Sequence, residues 1–197
     1  MESTAKDNTR LTAKEYYKIA EGYEEITELD DGWIIVLGNP NITHQRIQRR
    51  LTTTFDNYIL AKGGKCEPFS APTEVELDEH NVFVPDVFIS CHPENFDDKR
   101  YYGAPDLVIE IVSSDRKRDY IDKLFMYRNA GVREYWIVDP KFKETLVYFF
   151  HEDILAVKYP FDRSVPVGIY KYAPDPLEIN IAELIAPYAT EEQGDER

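Results

Sequence analysis

The 197-residue sequence predicts an α+β fold with an α/β/α-like core, in which a mixed sheet is flanked by helices. Three observations predict it. Apolar runs of strand length, "VFVPDVFIS" and "LVIEIVS", each follow or contain a Pro-Asp pair. Two longer segments, 42–61 and 115–130, repeat their apolar residues at helical spacing. A hairpin pattern stands near the N-terminus, and antiparallel strand patterns stand near the C-terminus.

In chain order, Thr12-Ala13-Lys14-Glu15 reads as a capping box opening a short helix to about Ala20. Ile26 and Leu29 lead into Asp31-Gly32, a strong hairpin turn, and Trp33–Leu37 returns. After the break at Asn39-Pro40-Asn41, Ile47, Leu51, Phe55 and Tyr58 form one helical stripe ending at Gly63-Gly64. Strands are expected around Thr73–Leu77, in "VFVPDVFIS" and in "PDLVIEIVS". Tyr120, Leu124 and Tyr127 mark the second helix, with Gly131 as terminator. "REYWIVD" and "TLVYFF" are further strands joined by a turn at Pro140, and a last strand pair precedes the short helix "IAELI". The expected organisation is one domain over 1–190 and an acidic tail over 191–197.

Composition narrows the function classes. The 43% hydrophobic share supports a packed core, and no apolar stretch reaches the roughly 20 residues of a membrane span. The N-terminus lacks the apolar region of a secretory leader, and Cys66 and Cys91 lack metal-ligand spacing. These features point to a cytoplasmic protein with thiols in a reducing compartment and no structural zinc. The net charge of −14 opposes bulk binding to polyanions, yet two segments are basic. Residues 41–65 set Arg46, Arg49, Arg50, Lys62 and Lys65 against Asp56, and residues 113–133 set six basic against three acidic residues. Charge alone favours the plainer reading, two solvated helix surfaces.

The residue that resists a packing account is Glu110, within Leu107–Val112. Alternation puts Asp106, Val108, Glu110 and Val112 on one face and Leu107, Ile109 and Ile111 on the other. Both faces are mostly apolar, so the strand is central, and a buried carboxylate there needs a partner. Asp106 lies ~13 Å away along an extended strand, too far to share an ion. Asp86, opening the next apolar strand after Pro85, is the better second carboxylate. Two carboxylates on adjacent strands make an oxygen site of the kind Mg²⁺ takes with waters and phosphate. Lys123 lies at the edge of the second helix's buried stripe and can reach Glu110 to orient a water. Taken singly, each residue also has a plain packing account: a strand cap, a paired carboxylate, and an Asp119–Lys123 surface pair.

Together, "VPDVFIS" and "APDLVIEIVSSDRKRDYIDKLFMYRNAGVREYWIVDP" resemble the Uma-two family of the PD-(D/E)XK restriction-endonuclease-like superfamily. The likeness extends to "YEEITELDDGWIIV" as the N-terminal hairpin and "NITHQRIQRRL" as the first long helix. It implies phosphodiester hydrolysis by a site of Asp86, Glu110 and Lys123, with Mg²⁺ (or Mn²⁺) on Asp86, Glu110 and the Ile111 carbonyl. The chain departs from the superfamily pattern at Val112, where a lysine is expected, so Lys123 of the following helix stands in for it. His44 matches a histidine typical of the family, and Glu74 is a candidate extra ligand. The partner implied is nucleic acid, with DNA expected, met by Arg46, Arg50, Arg116 and Lys117. A homodimer is expected and a membrane is not. Two other readings stay open: a nuclease fold kept as a non-cutting binding module, and an assembly protein with "LVYFF" at a dimer interface. A serine hydrolase is disfavoured, since the sequence has no G-x-S-x-G elbow.

Overall fold

A computed structural model describes residues 10–113, 118–152 and 155–188. Helix α1 (Ala13–Ala20) begins with the predicted box, Thr12 accepting from the Glu15 N–H and Glu15 closing back on Thr12. Strands β1 (Thr27–Asp30) and β2 (Trp33–Val36) form the predicted hairpin. Its turn needs left-handed backbone at both Asp31 (φ 50°) and Gly32 (φ 80°), which favours Asp-Gly.

Helix α2 (Ile42–Lys62) starts at an Asn41 side chain that accepts the His44 N–H, and ends at left-handed Gly63. Ile47, Leu51, Phe55 and Ile59 are its buried stripe. Full burial of such side chains contributes about 1.5–3 kcal/mol each.

The strands β3 (Glu67–Ser70), β4 (Glu74–Asp78), β5 (Asn81–Phe83), β6 (Val87–Ser90), β7 (Arg100–Tyr102) and β8 (Leu107–Ile111) follow. Helix α3 (Lys123–Ala130) is preceded by a wide π turn at Arg118–Asp122 and closed by left-handed Gly131. Next come β9 (Glu134–Asp139), β10 (Glu144–Phe149), β11 (Val157–Pro160), β12 (Ser164–Pro166), β13 (Glu178–Asn180) and α4 (Ile181–Ile185).

Two main sheets result, ordered β2-β1-β5-β4-β7 and β11-β10-β9-β8-β6-β3, beside the small pair β12-β13. In the second, β8 runs parallel to β9 and antiparallel to β6, so the sheet is mixed. Strand β8 is buried throughout, as its sequence predicts. Leu107, Ile109 and Ile111 pack with the α2 stripe, while Val108 and Val112 pack with Tyr127 and Tyr135.

Several expectations are revised. "VFVPDVFIS" is two strands in two sheets: β5 pairs with β1 and β4, and β6 with β3 and β8. Pro85 has no N–H for a ladder, and the chain crosses between sheets at Val84-Pro85-Asp86. "LVYFF" belongs to β10, between β9 and β11, and Tyr148 and Phe150 stack on Tyr135. Cys66 and Cys91 are joined as a disulfide one position beyond the Glu67–Ser90 pair of β3 and β6, rather than standing as two thiols. No described helix is long and apolar enough to cross a membrane. The acidic tail lies outside the described residues.

Candidate active site

Strand register brings the two carboxylates together. Val87 pairs with Ile109 in the antiparallel β6–β8 ladder, so Asp86 and Glu110 lie one position beyond that pair, Asp86 where the chain leaves the sheet and no longer follows its alternation. Asp86 Oδ2 accepts the Ile111 N–H at 2.7 Å and bonds His44 Nε2 at 2.9 Å. One turn along α2, Gln48 donates to the Asp86 carbonyl at 3.0 Å. The first turns of α2 therefore hold the crossing segment at both its side chain and its backbone.

Glu110 points to the opposite layer. Its Oε1 accepts Lys123 Nζ at 2.8 Å and the Tyr127 hydroxyl at 2.7 Å. Lys123 and Tyr127 are four residues apart on α3 and so share the helix face above β8. Burial, with the Glu110 carboxylate beside it, pushes the Tyr127 phenol well above its ordinary pKa, which keeps it a donor.

A third carboxylate completes the cluster, and the sequence reading missed it. Glu28 of β1 is fully buried; it lies 3.3 Å from Lys123 Nζ and accepts the Val84 N–H at 2.8 Å. It also pairs with Arg118, whose Nε donates to Asp30 at 3.2 Å. Burial alone would push the Glu28 carboxyl up, but Lys123 and Arg118 outweigh it and hold the group below its ordinary value. Within "ITELDDGW", Glu28 looks like one of several solvated hairpin acids. Its only sequence signal is a shared face with Asp30 on a strand flanked by apolar residues.

A cavity of about 210 Å³ is lined by Asp86, Glu110, Lys123, Arg118, His44 and Ile111 together with Ile26, Ile35, Val36 and Leu37. The predicted Asp86, Glu110 and Lys123 thus meet in one place, with His44 and Ile111 beside them. Glu74 does not join them. It pairs with Arg100 at 3.3 Å and lines a separate cavity with Tyr16 and Tyr17. Arg46 lines an adjoining cavity, whereas Arg50 donates through Nε to the Leu184 carbonyl at the end of α4. Arg116 and Lys117 lie outside the described residues.

The donor chemistry fits a hard divalent cation. Asp86 and Glu110 are the carboxylates on the cavity lining, beside the cations Arg118 and Lys123. Both hydrogen bonds to the Asp86 carboxylate fall on Oδ2, so Oδ1 remains for a ligand. Among the described residues no three His, Cys, Asp or Glu form a ready-made metal cluster.

The fold is a nuclease-like one, and the family match is to a restriction-endonuclease family. Residues 13–164 match the Uma2 family model, described as "Putative restriction endonuclease", and the chain belongs to that family. It is 29% identical over 147 residues to "Uncharacterized protein slr1290" of Synechocystis sp., covering 73% of this chain and 76% of that protein. A solved structure described as "a putative nuclease belonging to DUF820 from Anabaena variabilis ATCC 29413" shares the fold. Its TM-score is 0.71 at 19% identity, over 89% of this chain and 98% of that one.

Proposed function

We propose that this chain is a metal-dependent endonuclease that hydrolyses phosphodiester bonds of nucleic acid, with DNA as the substrate. The observation that carries the reading is the meeting of Asp86 and Glu110 across β6 and β8, with Lys123 on Glu110. Asp86, Glu110 and the Ile111 carbonyl would hold Mg²⁺ (or Mn²⁺). Such an ion, when bound, polarises the scissile phosphate and acidifies a coordinated water. The chain's own groups position and charge-balance the reaction. His44 and the Ile111 N–H fix the Asp86 carboxylate, and Tyr127 fixes Glu110. Lys123, held by Glu28, orients the attacking water and offsets charge developing on phosphate. A homodimer is part of the same reading, supported by Ile121 and Phe125, 58% and 63% exposed near the start of α3.

The test is cleavage of plasmid, single-stranded DNA and RNA in Mg²⁺ or Mn²⁺ by wild type, Asp86→Ala and Glu110→Gln. Cleavage that falls at least about a hundredfold in both variants, with folding intact, supports the reading. Folded wild type that cuts none of the three refutes it. One observation favours a non-cutting binding module instead: Lys123 is already paired with both Glu28 and Glu110. Nucleic-acid binding without cleavage in the same assay would select that reading.

A further inference from the structure

The β1–β2 hairpin turns one face toward the active site, and its register says which residues share it. Glu28 is opposite Ile35, and Asp30 is opposite Trp33. Directly opposed residues lie on the same face, as do residues two apart. Three of these four are accounted for: Glu28 and Asp30 pair with Arg118, and Ile35 lines the active-site cavity. The fourth, Trp33, is 48% exposed, whereas the other tryptophan, Trp136, is fully buried. A large aromatic ring is thus left half in water on the site-facing side of an edge strand.

The opposite flank has different chemistry. The active-site cavity shares Gln48 and Ala71 with a second cavity along α2, where Arg46, Arg49, Thr52 and Ser70 supply cationic and hydroxyl groups. The catalytic floor therefore lies between a phosphate-binding kind of surface and an apolar strand carrying an indole. An unpaired strand has that same polarity, with phosphates along one edge and ring faces along the other. A duplex hides its base faces in its own stack and offers nothing to Trp33. Asp30, opposite the ring, is turned to Arg118, whose Nε donates to it.

We propose that the site takes single-stranded nucleic acid, with one unpaired base stacked on Trp33 beside Ile35 and the backbone directed along the Arg46–Arg49 flank of α2. This deepens the nuclease reading and rests on it only for the identity of the catalytic floor.

The test is intrinsic tryptophan fluorescence of the full chain in EDTA, titrated with a 12-nucleotide oligothymidylate and, separately, with a closed-end DNA hairpin duplex. With Trp136 buried, the expected result is saturable quenching by the single strand at an affinity about tenfold or more above the duplex. Trp33→Leu should abolish the quenching and weaken single-strand binding about tenfold, and Trp33→Phe should restore affinity. Equal affinity for duplex and single strand, or single-strand binding indifferent to Trp33→Leu, overturns the proposal. So does a lack of binding to either ligand. Duplex cleavage in Mg²⁺ without quenching would sink this proposal and spare the nuclease; quenching without cleavage would do the reverse.

Discussion

Lys123 shows how a buried charge depends on a few contacts. It is 4% exposed and bridges Glu110 at 2.8 Å and Glu28 at 3.3 Å, so it is the counter-charge for two buried carboxylates. Breaking a buried pair by removing one partner typically costs about 3–5 kcal/mol, because the other charge stays behind. Lys123→Met should therefore lower the urea-unfolding free energy by about that amount. The double change Lys123→Met with Glu110→Gln should recover part of it. Glu28 adds a pH dependence whose sign is fixed. Its carboxyl is held below the ordinary value of 4.5, so its stabilisation is fully present above about pH 4.5 and lost as pH falls through the lower folded value. Wild type should lose stability on acidification below that pH, and Glu28→Gln should lose less across the same window in urea titrations. At this scale the pairing of Glu110 with Lys123 was legible, because an acid inside an apolar strand needs a partner; Asp86 was read from its place after Pro85. Glu28 was not: it becomes meaningful only once folding sets Lys123 and Arg118 against it.

At the scale of elements, the sequence foretold the helices and the hairpin and missed the crossing between sheets. The α2 stripe, the capping box at Thr12 and the Asp-Gly turn are local devices, readable from a few neighbouring residues. The division of "VFVPDVFIS" depends on which sheet each half joins, and no local pattern encodes that. Strand β3 was also missed; it carries Pro68 and is an edge strand, where proline is tolerated. The hairpin turn offers a direct check. A Cβ at Gly32 would sit 2.5 Å from the Arg10 Cβ, on a backbone with φ +80°. Gly32→Ala should cost about 1–3 kcal/mol by thermal or urea unfolding. Because β1 carries Glu28, it should also weaken the active site more than a remote change of equal cost.

Over the whole molecule, a chain of net charge −14 gathers part of its positive charge on α2. Arg46 and Arg49 line the cavity next to the candidate site, while Arg50 donates to the Leu184 carbonyl of α4. Nucleic-acid affinity should fall steeply with salt, and Arg46→Ala or Arg49→Ala should each reduce the slope of log affinity against log salt by about 0.7–0.9. Arg50→Ala should instead act mainly on stability. The overall architecture was legible because periodicity and strand length survive in the sequence; the Cys66–Cys91 bridge was not, because their proximity comes from the β3–β6 register.

The central claim is that Asp86 and Glu110 form one cation site served by Lys123, and anomalous diffraction from a Mn²⁺-soaked crystal tests it most directly. The account predicts a single peak between the Asp86 and Glu110 carboxylates, with Lys123 Nζ within hydrogen-bond reach of a metal-bound water. A peak elsewhere, or none while Asp86–His44 and Glu110–Lys123 stay paired as now, would contradict it.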